Sequence, residues 1–407
     1  MTKQNNSPTL RFPEFAGELR KYNLGEISSW ASGGTPSKEN PIYWNGNIPW
    51  ITASSMRGIE YLDSENKITE EGLKNGSRLA SKGNLLILVR GSMLFNKIPI
   101  GITMRDVAFN QDVKSIDVFP ENSTLFILYW FISSESVILN LVTGTGIGAG
   151  KLDLADLKNL SVHLPTLPEQ TKIATFLTAV DERLNQLKQK KILLEQYKKG
   201  VMQNIFDQEI RFKPDEGNEF PQWTEEKLDS IISNFIVPMR DKPKELNGEI
   251  PWCRIEDFNG KYLSSSKSGQ GVSKGTVKAM NLKIYPINTL LVSCSANLGF
   301  CAIVKRELIT NQTFIGLVPD ENKVNVEFLF YVMILASRKL NILSSGTTIS
   351  YLSRESFEKF EINLPCLAEQ TRIANFLSVL DEKINGCSSQ IAKTEAYKKG
   401  LLQQMFV

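Results

Sequence analysis

The chain has 407 residues, long for one hydrophobic core, with 42% hydrophobic and 22% charged residues and a formal net charge of +3. That composition excludes a disordered or fibrous chain, and the charge is too small over this length to mark a polyanion partner by itself. Apolar runs such as Leu85 to Val89 and Leu139 to Val142 fall far below the roughly 20 residues of a membrane span.

The N-terminal Met-Thr-Lys-Gln-Asn-Asn-Ser lacks a signal peptide's apolar core. Cys253, Cys294, Cys301, Cys366 and Cys387 contain no CxxC pair. Free thiols and a cytoplasmic location are the expectation.

In chain order, residues 1–19 form a polar lead-in containing Leu10-Arg11-Phe12-Pro13-Glu14-Phe15. A first unit, 20–163, opens its variable part with the Gly/Pro loop Ser32-Gly33-Gly34-Thr35-Pro36-Ser37. A turn signal at Tyr43 to Gly46 and a buried strand at Ile48-Pro49-Trp50-Ile51 follow. Next come the strand Leu85 to Val89, the pair Asn110-Gln111, an apolar helix-like segment and a Gly/Thr loop from Thr143 to Gly146. A central helix occupies 164–209 and a linker 210–221, where Arg211-Phe212 echoes Arg11-Phe12. A second unit, 222–363, repeats the signals with Ile250-Pro251-Trp252, Leu290 to Ser293, Asn311-Gln312 and Ser345 to Thr348. A C-terminal helix closes the chain at 364–407.

The two helices are copies at an offset of 200. Leu164-Pro165-Thr166-Leu167-Pro168-Glu169-Gln170-Thr171 through Phe206 matches Leu364-Pro365-Cys366-Leu367-Ala368-Glu369-Gln370-Thr371 through Phe406, with almost half the positions identical. Apolar residues recur at 4-3 spacing, Ile173, Leu177, Val180, Leu184 and Leu187 in one copy and Ile373, Leu377, Leu380, Ile384 and Cys387 in the other. Lys191 and Lys198, and Thr394 and Lys398, interrupt them. This is a heptad seam, which predicts one long helix packed along another. Thr166 and Glu169 have capping-box spacing; Cys366 removes the side-chain cap from the second copy.

Charge is informative locally. From Gly72 to Arg105 there are six basic residues and no acid, and from Phe258 to Arg306 seven and no acid. Such stretches suit a phosphate-facing surface, although a charge run also serves as a solvated face. A single histidine, His163, excludes a clustered-histidine metal site. Thr143 to Lys151 lacks the residues of a Walker loop. Asn40-Pro41-Ile42-Tyr43 departs at Ile42 from the Asn-Pro-Pro-Tyr box of amino-methylating enzymes, and Pro319 to Lys323 lacks the separation of a nuclease acid cluster. No catalytic constellation and no metal site emerges.

With its duplicated Leu-Pro-x-Leu-x-Glu-Gln-Thr helices, the Tyr-Lys-Lys-Gly copies at 197–200 and 397–400, and two diverged units, the chain resembles the specificity subunit of type I restriction–modification enzymes. The resemblance implies an α+β chain. Two similar mixed α/β target recognition domains would be joined by two long antiparallel coiled-coil helices with pseudo-twofold symmetry. Each domain would read half of a bipartite DNA target, and the helices would set the gap. The implied partners are double-stranded DNA, two modification subunits that bind S-adenosylmethionine and two restriction subunits that use ATP and Mg. The chain itself would hold no cofactor and perform no chemistry. Two other readings are a DNA methyltransferase or nuclease with a degenerate motif, and a coiled-coil adaptor that binds no DNA.

Base reading needs donors and acceptors on loops, with cations at phosphates. In the first unit the candidates are Thr35, Ser37, Lys38, Ser54, Ser55, Arg57, Arg90, Ser92, Asn110, Gln111, Thr145 and Lys151. In the second they are Arg240, Lys242, Arg254, Ser293, Ser295, Asn297, Asn311, Gln312, Thr347, Thr348, Ser350 and Tyr351. Arg90 is the sharpest, since arginine can grip guanine with two hydrogen bonds, and Cys294 is its approximate counterpart.

Overall fold

The computed structural model describes residues 8–146, 148–215, 217, 219–238, 242–294, 298–344 and 352–407. The chain divides into two compact units, residues 1–190 with 387–407, and residues 191–386.

The first unit is built on a five-stranded sheet in the order Ser28–Ser32, Val113–Val118, Leu85–Leu88, Ile100–Thr103, Glu60–Tyr61. All four residues of Leu85–Leu88 are fully buried, as the uninterrupted apolar run requires of a central strand. At about 1.5–3 kcal/mol for each buried large apolar side chain, this strand anchors the core. A second sheet orders Lys67–Ile68, Trp44–Ile51, Val107–Phe109 and Arg78–Ala80. A small third sheet joins Thr143–Gly144, Gly150–Lys151 and Arg90–Gly91, so the expected Gly/Thr loop starts as a hairpin strand. The helix Thr124–Ser133, apolar on all sides, buries Phe126 to Phe131 in the same core.

The second unit repeats the plan. Its five-stranded sheet runs Ile232–Ile236, Phe314–Pro319, Leu290–Ser293, Cys301–Val304, Tyr262–Leu263. Its helix Val326–Ser344 corresponds to Thr124–Ser133. Both units are mixed α/β, as the repeat implies.

The long helices run Leu167–Phe206 and Leu367–Met405, each about 60 Å at 1.5 Å per residue. In the first unit Ile173, Ala174, Leu177 and Val180 share a core with Leu401, Leu402 and Met405. In the second, Met202 and Ile205 share one with Ile373, Ala374, Leu377 and Leu380. Within the first unit Lys398 reaches Asp181 at 2.6 Å and Glu395 reaches Lys188 at 2.8 Å, so numbering rises along one helix as it falls along the other. The packing is antiparallel.

Two of the seam-breaking lysines, Lys198 and Lys398, have a purpose. Lys398 pairs with Asp181 beside the Tyr129 ring, and Lys198 pairs with Asp381 at 2.5 Å beside the Tyr331 ring. Each tyrosine hydroxyl donates to the same aspartate, at 2.9 Å from Tyr129 and 2.6 Å from Tyr331.

The shared Glu-Gln is buried in both copies. Glu169 accepts Arg11 Nε at 2.6 Å and Nη2 at 2.7 Å; Glu369 accepts Arg211 at 3.2 and 2.8 Å and Trp223 Nε1 at 3.1 Å. The capping box expected at Thr166 therefore does not form through Glu169: a bidentate guanidinium outcompetes a neutral backbone N–H. Hydrogen bonding to the carboxylate raises the pKa of each arginine. Gln170 Oε1 accepts Ser123 N and Gln370 Oε1 accepts Asn325 N, tying each long helix to the start of the helix packed on it.

Candidate nucleic-acid interface

In the first unit the ends of several strands converge. Asn110 N donates to Ile51 O, Val89 N to Asp112 O, and Leu152 N to Val89 O. Those three backbone bonds bring the segments carrying Ser54, Asn110, Gln111, Arg90 and Lys151 side by side. The Gly/Pro loop joins them, with Gly34 N on Phe109 O and Thr35 Oγ1 donating to Gln111 Oε1 at 2.6 Å. Glycine is required there, because a Cβ on Gly33 would lie 2.1 Å from Phe109 O and one on Gly34 2.4 Å from Gly76 O. Trp50 Nε1 completes the anchorage by donating to Gly34 O.

Register in the small sheet is the most informative feature. Lys151 stands opposite Arg90 on one side and Thr143 on the other, so the three side chains share a face. Both cations are exposed. Like charges directly opposite are destabilising, and Asp153 offers Lys151 only a distant partner at 3.9 Å. An anion lying along this row would relieve the repulsion. Lys114 reinforces the cluster by donating to Gln111 O at 2.8 Å. Burial lowers its pKa, against the opposing pull of Asp112. Lys114 gives no signal in the sequence, because a lysine in an alternating strand looks like solvent-facing filler.

The remaining first-unit candidates sort by what their side chains already do. Ser37, Lys38, Arg57 and Ser92 are exposed. Ser54 shares its hydroxyl with Thr52, and Ser55 with Ser64. Thr145 Oγ1 donates to Ala149 O and closes its own loop. Asn110 is buried and caps the turn to Asp112, so its neighbour Gln111 is the residue the turn presents outward.

In the second unit Arg254 donates to Gln270 Oε1 at 2.9 Å and lies 3.5 Å from Glu256. Asn311 Oδ1 accepts Thr313 Oγ1, while Gln312 and Lys242 are exposed. Ser293 is fully buried, as is every residue of the central strand Leu290–Ser293, which is covered on both faces. Arg240, Ser295, Asn297, Thr347, Thr348, Ser350 and Tyr351 lie outside the described residues. The register also corrects one pairing. Cys294 N donates to Thr313 O and Leu352 N to Cys294 O, as Val89 does with Asp112 and Leu152. Cys294 therefore matches Val89, not Arg90.

The enzyme-like motifs have structural roles. Asn40 Oδ1 accepts Ile42 N and caps the turn Pro41–Tyr43. His163 lies on the strand Ser161–Leu164, paired with Lys21. Among the described residues no group of three or more His, Cys, Asp or Glu is placed to hold a metal ion, and no helix is long and apolar enough to cross a membrane.

Comparison with known proteins bears on this geometry. A family model described as Type I restriction modification DNA specificity domain matches residues 17–196 and 223–393. The MjaIX type I restriction enzyme specificity subunit of Methanocaldococcus jannaschii is 26% identical over 411 residues, 94% of this chain and 90% of that one. A specificity subunit from Escherichia coli is 33% identical over 174 residues, 42% of this chain and less than half, 43%, of its own length. The crystal structure of a type I restriction–modification S subunit from M. genitalium superposes with a TM-score of 0.64 at 16% identity, covering 98% of this chain and 99% of that chain. At that identity the likeness is one of fold.

Proposed function

We propose a mechanism from one premise: the chain belongs to the type I restriction–modification DNA specificity family, as a specificity subunit with two DNA specificity domains. In our reading each unit reads one half of a bipartite duplex target, and the chain performs no chemistry. In the first unit, Arg90 and Lys151 engage phosphate or guanine, while Gln111 and Thr35 offer amide and hydroxyl groups to base edges. The observation that carries this reading is the exposed Arg90–Lys151–Thr143 row beside the Gln111 turn.

The long helices act as the ruler. Each is about 60 Å long, against 34–36 Å for a turn of B-DNA, so the pair can span one to two turns. Two modification subunits, which bring S-adenosylmethionine for adenine methylation, and two ATP-dependent restriction subunits dock on this frame. Support for these partners comes from the family. A neighbour of the same fold, at a TM-score of 0.58 and 15% identity, was described in connection with complex assembly of the type I system.

Salt titration of duplex binding by the complex with modification subunits tests the interface. Lys151→Ala should weaken binding across sequences and reduce the slope of log K against log salt by about 1. An unchanged slope would place Lys151 away from phosphate.

A further inference from the structure

The second unit holds a part-buried polar network for which DNA contact has no use. Lys261, with only 8% of its side chain exposed, lies at the edge of the five-stranded sheet and extends Nζ toward the helices. It donates to Ser378 Oγ at 2.7 Å and Tyr331 OH at 3.3 Å, and sits 2.5 Å from Glu327 Oε2. Glu327 also accepts Tyr262 OH at 2.8 Å and lies 3.6 Å from Lys305 Nζ. Tyr331 passes the network to Asp381, which pairs with Lys198. A continuous chain of charge-assisted contacts thus runs from the sheet edge, through Val326–Ser344, to both long helices.

The first unit has no counterpart of the Lys261–Glu327 pair at the same junction. Ile303 N donates to Lys261 O as Ile102 N donates to Ile59 O, so Ile59 stands where Lys261 does. Asn325 and Ser123 make the same bond to the paired glutamines, which aligns Glu327 with Leu125 and Tyr331 with Tyr129. Tyr129, Asp181 and Lys398 persist there, but Ile59 and Leu125 replace the Lys261–Glu327 pair. The same backbone accepts either solution.

Apolar packing is non-directional, whereas a part-buried ion pair backed by hydrogen bonds admits fewer geometries. The sheet-edge strand Tyr262–Leu263 is two residues long and, among the described residues, pairs only with Cys301–Val304, so backbone bonding alone holds it weakly. We propose that Lys261 and Glu327 are positioning residues: a polar latch that fixes the angle of the second recognition body on its long-helix seat, and so the position at which the second half-site is read. This inference rests on the DNA-reading function above.

The test uses the complex with modification subunits, on duplexes whose gap is the optimum or one base pair longer or shorter. The double variant K261I/E327L imports the first unit's own solution, so it should fold with a melting temperature close to that of the parent. Glu327→Gln keeps the side-chain shape but removes the charge facing Lys261 and Lys305. Both are expected to raise methylation at the off-length gaps relative to the optimum, about tenfold for the double variant, with base preference in each half-site unchanged. Parental gap discrimination in both variants would overturn the latch. So would equal loss at all gaps together with a lowered melting temperature, which marks a purely structural role. A parent complex without bipartite preference would instead refute the DNA-reading function, and the latch with it.

Discussion

Arg90 and Lys151 owe their opposition to two backbone registers, Gly150 with Gly91 and Lys151 with Arg90. In isolation the pair costs stability, and an anion along the row recovers it. Arg90→Ala should therefore relax recognition at one half-site by about 1–3 kcal/mol, read as base preference in a methylation assay. Unchanged preference would assign Arg90 to phosphate or to solvent. The cysteines make a second residue-scale prediction, about the core. Burial pushes the thiols of Cys253 and Cys301 up to about 12, while Cys366 is only half-buried. Cys366 should react first with a thiol reagent at neutral pH, with Cys253 and Cys301 protected until unfolding. Early labelling of Cys253 or Cys301 would contradict this packing.

The long helices show what periodicity can and cannot convey. The 4-3 spacing of Ile173, Leu177, Val180 and Leu184 announced a seam, and those residues are buried. Lys198 and Lys398 looked like defects in it, because spacing along one helix does not name a partner on another. Their partners Asp381 and Asp181 lie roughly 180–220 residues away in sequence, paired only once the antiparallel register is known. Asp181→Ala leaves Lys398 part-buried without its carboxylate. A double-mutant cycle of Asp181→Ala with Lys398→Met should report a coupling of about 1–3 kcal/mol in thermal unfolding; additivity would deny the pair. Glu169 looks like half of a capping box for a similar reason, since Arg11 is distant in sequence and nothing local betrays it. Inserting four residues after Gln186, in a helix whose two halves pack in different units, should shift the tolerated gap between half-sites. An unaltered gap would discredit the helix as ruler.

At the scale of the whole chain, the duplication was legible because the long-helix copies stay in register over 43 residues, 164–206 and 364–406. The recognition surface was less so. Strand ends and loops announce themselves through Gly, Pro, Asn and Gln, which is how Thr35, Gln111 and Arg90 were found. Whether such a residue faces outward depends on its place in the sheet: Asn110 and Ser293 are buried, and Cys294 matches Val89 instead of Arg90. The Lys261 latch was invisible for the opposite reason: its lysine sat in an acid-free stretch that reads as phosphate-facing surface, yet its charge is spent inside. The measurement closest to the central claim is a map of methylated adenines in DNA exposed to the complex of this chain with modification subunits. Two short specific sequences separated by one fixed non-specific gap are the predicted result. Methylation at a single continuous motif, or at half-sites with unrestricted separation, would contradict the account.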